Sequence, residues 1–145
     1  HGLIVCLNDS ESGEWGCSDE EILNANDSTL GTGYTNTLAI LTSDCEPVGI
    51  SSNIAAYSAT TFTSEDTLIN DWYLPSVNEL ELLYQEREWI DDSLTVYNGT
   101  RFKNTTYWSS TQNGIDKAIS LSFGNGSTKS SYKVSVNEVR AIRTF

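Results

Sequence analysis

Apolar residues follow two different rhythms along this chain. Residues 2–7 read Gly-Leu-Ile-Val-Cys-Leu without a polar interruption, the pattern of a short strand covered on both faces. Residues 8–16 are polar and acidic and predict a turn region that ends on Trp15 and Gly16. Residues 18–34 are rich in Asp, Asn, Ser, Thr and Gly and predict a long ordered loop, with a helical turn at 20–23 as its only regular element. Apolar side chains then gather among helix formers at 35–41 (Leu38, Ile40, Leu41) and 50–59 (Ile54, Ala55, Ala56), so two short helices are expected around the Cys45 turn.

The strongest local signal is Asp71-Trp72-Tyr73-Leu74-Pro75-Ser76-Val77-Asn78-Glu79-Leu80. Trp72 and Leu74 alternate as in a strand, and Pro75 stops it. Ser76 is then a helix N-cap with Glu79 three residues on, the two halves of a capping box. Val77, Leu80, Leu83 and Tyr84 share one face of the helix that follows, which is expected to end near Trp89. From Tyr107 the period becomes two. Tyr107-Trp108-Ser109-Ser110 is one strand; Ile119, Leu121 and Phe123 alternate with Ser120 and Ser122 in the next. Gly124-Asn125-Gly126-Ser127 is a hairpin turn, where Asn-Gly supplies positive φ. Tyr132, Val134 and Val136 alternate with Ser131, Lys133 and Ser135, and residues 139–143 close the chain as a strand. A strand, then helices, then a run of antiparallel strands gives an α+β fold, one domain over 1–145.

Length agrees with this: 145 residues fit one core that buries roughly 68–70 % of the unfolded surface. No apolar run approaches the ~20 residues of a membrane span, so membrane insertion is not expected. The chain opens on His1, contains no Met and shows no signal-peptide pattern, and it reads as a piece of a larger protein.

Charge changes the picture. Twenty acidic and eight basic residues give a net charge of −12, which argues against a nucleic-acid partner. Residues 1–100 hold 18 acids and the single base Arg87 (1 − 18 = −17), whereas 101–145 hold seven bases and two acids (7 − 2 = +5). A chain polarised in this way has an acidic body and a basic segment suited to an anionic partner. Of three cysteines, Cys6 lies in the apolar run and reads as a small core residue. Cys17 and Cys45 sit in polar turns and are expected to form a disulfide, which implies an oxidising, extracytoplasmic setting. No C-x-x-C or Cys/His set points to zinc.

The basic segment is the sharpest candidate site. If 129–135 is a strand, Lys129 and Lys133 share a solvent face with Ser131 and Ser135, opposite Tyr132 and Val134. Arg101 and Lys103 flank Phe102 in the same manner. With Lys117 these five form an expected anion-binding row; the bland alternative is a set of solvated lysines guarding a sheet edge. Arg140 and Arg143 have opposite parity, and one of them is expected to form a structural ion pair with Glu79 or Asp71. The stretch Asn8-Asp9-Ser10-Glu11-Ser12-Gly13-Glu14 misses the spacing of a calcium loop and reads as a solvated turn, as does Asp91-Asp92. Trp72 and Trp108 read as core, Trp89 and Tyr97 as freer. Five Asn-x-Ser/Thr sequons begin at Asn8, Asn26, Asn98, Asn104 and Asn125 and are assigned no glycan. Because the only histidine is His1, no interior imidazole is present to serve as base or metal ligand, and a non-catalytic role without cofactor or metal is expected.

Trp72-x-Leu74-Pro75-Ser76-x-x-Glu79-Leu80, Tyr107-Trp108-Ser109-Ser110-Thr111, Phe123-x-x-Gly126 and Val139-Arg140-Ala141-Ile142-Arg143 together resemble the C-terminal domain of the Legionella collagen-like adhesin family. His1-Gly2-Leu3-Ile4-Val5, Trp15-Gly16-Cys17, Gly31-Thr32-Gly33, Asn36-Thr37, Ala39-Ile40 and Cys45 extend the resemblance over nearly the whole chain. More distantly, the Leu-Pro-Ser-x-x-Glu helix start and the Trp-Ser-Ser strand resemble C-type-lectin-like folds, formylglycine-generating enzymes included. Those enzymes work with late cysteines, and none follows Cys45 here. The resemblance implies an extracellular head on the bacterial cell surface, a homotrimer that binds sulphated glycosaminoglycans or other anionic polysaccharides, here through Arg101, Lys103, Lys117, Lys129 and Lys133. The alternatives are a trimerising protein-interaction cap and a calcium-dependent lectin.

Overall fold

The computed structural model describes residues 1–62 and 69–145. Among the described residues, four helices and seven strands follow in the order β1 (Leu3–Val5), β2 (Ser10–Glu14), α1 (Gly33–Thr42), α2 (Ala55–Thr60), α3 (Val77–Gln85), α4 (Arg87–Val96), β3 (Thr106–Gln112), β4 (Lys117–Ser122), β5 (Thr128–Tyr132), β6 (Val136–Val139) and β7 (Ile142–Thr144). The fold is α+β, as the order of patterns predicts.

The strands form two sheets. One has five strands in the order β2-β6-β3-β4-β5; the other pairs β1 with β7 alone. All ladders are antiparallel except β3 against β6, so the larger sheet is mixed, not the purely antiparallel one expected. The polar stretch read as a solvated turn is in fact β2, paired with β6. Its Gly13 and Glu14 are buried, and Glu14 accepts a hydrogen bond from Val48 N at 2.8 Å. Residues 139–143 do not form one strand: β6 ends at Val139, and Arg140-Ala141 carries the chain from one sheet to the other.

The helices follow local chemistry. Ser76 Oγ accepts from Glu79 N at 3.3 Å while Glu79 Oε2 accepts from Ser76 N at 2.8 Å, completing the expected capping box. Gly33 opens α1 directly against this cap, where a Cβ would stand 2.7 Å from Ser76 N. The helix expected to run to Trp89 breaks at Glu86, and a separate helix, α4, continues to Val96. The second helix is shorter than its apolar pattern, because residues 50–54 are extended or turning, and Ile54 itself bridges to Glu14. One core cluster gathers Trp15, Ile40, Trp72, Leu74, Trp108 and Val139 under α1 and α2. A second gathers Tyr73, Leu80, Leu83, Phe102, Tyr107, Leu121, Phe123 and Ile142 under α3. Cys17 and Cys45 are bonded, with Cα atoms 5.1 Å apart. The cross-link closes a loop across 28 positions, worth ~3–4 kcal/mol by loop entropy. Cys6 stays free and buried, and burial pushes its thiol up to about 12.

Candidate functional site

The basic residues of 101–145 do not gather. Lys133 is completely buried, the reverse of the expected solvent face. The parity argument fails because β5 ends at Tyr132 and the chain turns at Lys133, leaving Tyr132 and Val134 exposed instead. The Lys133 ammonium donates to Glu20 O at 2.6 Å, Gln112 Oε1 at 2.8 Å and Cys17 O at 3.3 Å, over the Trp15 ring. It pins the disulfide-bearing loop to the sheet, and burial holds its pKa down, at about 8. Such an ammonium is spent on the fold.

The other expected contacts are divided among carboxylates and opposite faces. Arg101 pairs with Asp92 at 3.1 Å, and Lys103 with Glu138 at 3.1 Å and Asp9 at 3.7 Å. Lys117 and Lys129 have no carboxylate partner among the described residues. Yet Lys117 opposes Tyr132 in the β4–β5 ladder and Lys129 opposes Ser120, so the two project from opposite faces of the sheet. Lys117 lies over the Tyr132 ring, 4.8 Å from its centroid. Among the described residues, the five expected cations therefore do not share one exposed face.

Both late arginines are structural. Arg140 is completely buried, with Nε donating to Asp9 Oδ1 at 2.6 Å. Its remaining donors meet Cys6 O, Leu7 O, Thr100 O and Arg101 O, and its guanidinium lies over the Phe102 ring. Arg143 pairs with Asp71 at 2.7 Å, one of the two partners expected, and its hydrogen bond holds the Asp71 carboxyl below the ordinary range. Asp91 is no solvated turn residue: it is buried, pairs with Arg87 and accepts from Phe102 N at 2.8 Å. Among the described residues no group of three or more His, Cys, Asp or Glu side chains is arranged to hold a metal.

What the molecule does present is apolar. A groove of about 510 Å³ runs between β1 and α4, lined by Leu3, Ile4, Val5, Ile90, Leu94 and Tyr97. A second, of about 620 Å³, continues it along α3 past Leu82 and Leu83 to Leu30. Trp89 and Tyr97, 78 % and 70 % exposed, stand on the α4 wall, and Glu86 marks the rim of both grooves. Gly2 and Phe145 exchange backbone hydrogen bonds, and the register Ile4↔Arg143 keeps that alternation. The N–H and C=O groups of Leu3 and Val5 therefore point away from β7. Sequence reasoning missed this face. Its one signal was the unbroken apolar run 2–7, which asks for cover on both faces, whereas Ile4 and Leu7 are left exposed.

A family model described as the Lcl C-terminal domain matches residues 25–143. No curated protein matches the chain in sequence. Among solved structures, a fimbrial protein from Bacteroides ovatus superposes with a TM-score of 0.66 at 17 % identity. That match covers 98 % of this chain and 35 % of the fimbrial protein, so the likeness is one of fold over about a third of the longer molecule.

Proposed function

The chain belongs to the family of the Lcl C-terminal domain, an adhesin-type surface domain, and on that premise we propose that it is a non-catalytic extracellular head that attaches to protein rather than to a polyanion. The observation that carries this is the continuous apolar face of β1, α3 and α4, on a molecule whose late cations, Lys117 and Lys129 apart, each meet a carboxylate or buried carbonyls of the same chain. Exposed apolar faces of this kind, rimmed by polar groups, mark protein contact sites. A net charge of −12 repels sulphated chains at long range, and only a concentrated basic patch offsets that. The fimbrial protein of similar fold supports a surface role.

A second reading keeps an anionic polysaccharide as ligand through Lys117 and Lys129, the two lysines without a carboxylate partner among the described residues. Adhesion separates the two. Beads coated with the chain are applied to host-type cells pretreated either with protease or with heparin lyase. Protein attachment predicts loss of adhesion after protease and retention after the lyase. The opposite pattern overturns the proposal and favours the polysaccharide.

A further inference from the structure

This inference rests on the protein-contact reading and deepens it. We propose that the groove between β1 and α4 is a strand-accepting site. An extended segment of another polypeptide, apolar at alternate positions and basic at one end, pairs with the outer edge of β1.

Three observations meet in this groove. First, its wall includes unused backbone. Leu3 and Val5 each turn an N–H and a C=O outward at strand spacing, with no partner among the described residues. A lipid tail or a folded apolar surface satisfies none of these groups; an added strand satisfies all four. Secondly, β1 belongs to a sheet of two strands, an arrangement of marginal stability that a third strand strengthens. The far side of β7 is already occupied by the bridge between Tyr73 and Ile142, and beyond Val5 the outer edge is closed by Thr100 N donating to Leu7 O at 2.8 Å, so the outer edge over Leu3–Val5 is the open position. Ile90 and Leu94 of α4 supply an apolar wall on which alternate side chains of such a segment rest. Thirdly, the rim carries Glu86, exposed and without a cationic partner among the described residues. A basic side chain on the incoming segment complements it. A second copy of this chain meets the site with Glu86 of its own, like charge against like.

The test uses the intact chain and a synthetic peptide of about eight residues, alternating Val and Thr with Lys at one end. Amide hydrogen exchange is followed residue by residue. Exchange at Leu3 and Val5 is expected to slow by roughly tenfold or more on saturation with peptide. The same peptide N-methylated at alternate residues, which removes the pairing donors, is expected not to protect them. Glu86→Lys, a surface change, is expected to weaken the Lys-ended peptide by about threefold to fivefold and leave the fold unchanged. The proposal is overturned if exchange at Leu3 and Val5 does not respond. It is equally overturned if the N-methylated peptide binds as tightly as its parent, or if light scattering shows an oligomer that already protects these amides. Protease-sensitive adhesion with no strand pairing sinks this inference alone, whereas lyase-sensitive adhesion sinks the reading beneath it.

Discussion

Two sheet edges of this molecule, those of β5 and β1, are built in opposite ways. The β5 edge is Thr-Lys-Ser-Ser-Tyr: hydroxyls and a lysine along the strand, with Lys117 over Tyr132 beside it. Polar, lysine-bearing edges discourage another strand from docking. The β1 edge is Leu-Ile-Val with an apolar groove alongside and a carboxylate at the rim. Behind each edge lies a completely buried cation, Lys133 behind the first and Arg140 behind the second. The contrast teaches that the basic residues of the last third hold the fold at one edge and guard it at the other. The contact chemistry lies at the edge where few of them point outward.

The contrast can be broken in several ways. The largest effect is expected from Arg140→Ala, which takes a donor from four carbonyls and the partner from Asp9 Oδ1, leaving that buried carboxylate only the Tyr107 hydroxyl and the longer Lys103 contact. Breaking a buried pair of this kind costs about 3–5 kcal/mol, read as a shift of the urea midpoint. Lys133→Met comes next. It leaves Glu20 O without its donor and takes one of two donors from Cys17 O and from Gln112 Oε1, which keep Glu20 N and Ile22 N, and a loss of roughly 1–3 kcal/mol is expected in the same experiment. If this variant instead keeps full stability and loses heparin affinity, Lys133 is a ligand contact after all and the comparison fails.

Lys129→Ile probes the guard directly. It is expected to raise self-association by light scattering while changing stability by less than about 0.5 kcal/mol. Heparin titration of the unaltered chain at physiological salt is expected to show no saturable binding. A steeply salt-dependent signal removed by Lys117→Ala with Lys129→Ala restores the polysaccharide reading. The smallest effect concerns pH. The Arg143 hydrogen bond lowers the folded pKa of Asp71 below the ordinary 3.8, so its contribution is present above that value and fades as pH falls below it. Asp71→Asn is expected to lower the neutral plateau slightly and leave the acid end unchanged, so that the acid limb flattens by the same small amount.

Much of the framework was legible from local pattern. Ser76 and Glu79 announced the capping box because both halves of that motif lie within one helical turn. Gly124 to Ser127 announced its hairpin, and Cys17 with Cys45 announced their bond from the turns around them. The break at Glu86 was not legible, since Val77 to Trp89 reads as one amphipathic run with no Pro or Gly to interrupt it. Nor was β2, whose polar residues gain strand structure from pairing with β6 rather than from their own propensity.

By itself, then, the sequence determined an α+β domain of the Lcl type, the capped start of α3, its cross-link and the partition of charge along the chain. Tertiary structure alone decided what each charge meets. Asp9 and Arg140 lie 131 positions apart, and Lys133 and Cys17 lie 116 apart. Periodicity tells which residues share a face only while a strand lasts, and Lys133 falls one residue past the end of β5. The partners of such a side chain are set by how distant segments register against one another, and no window of neighbouring residues contains that information.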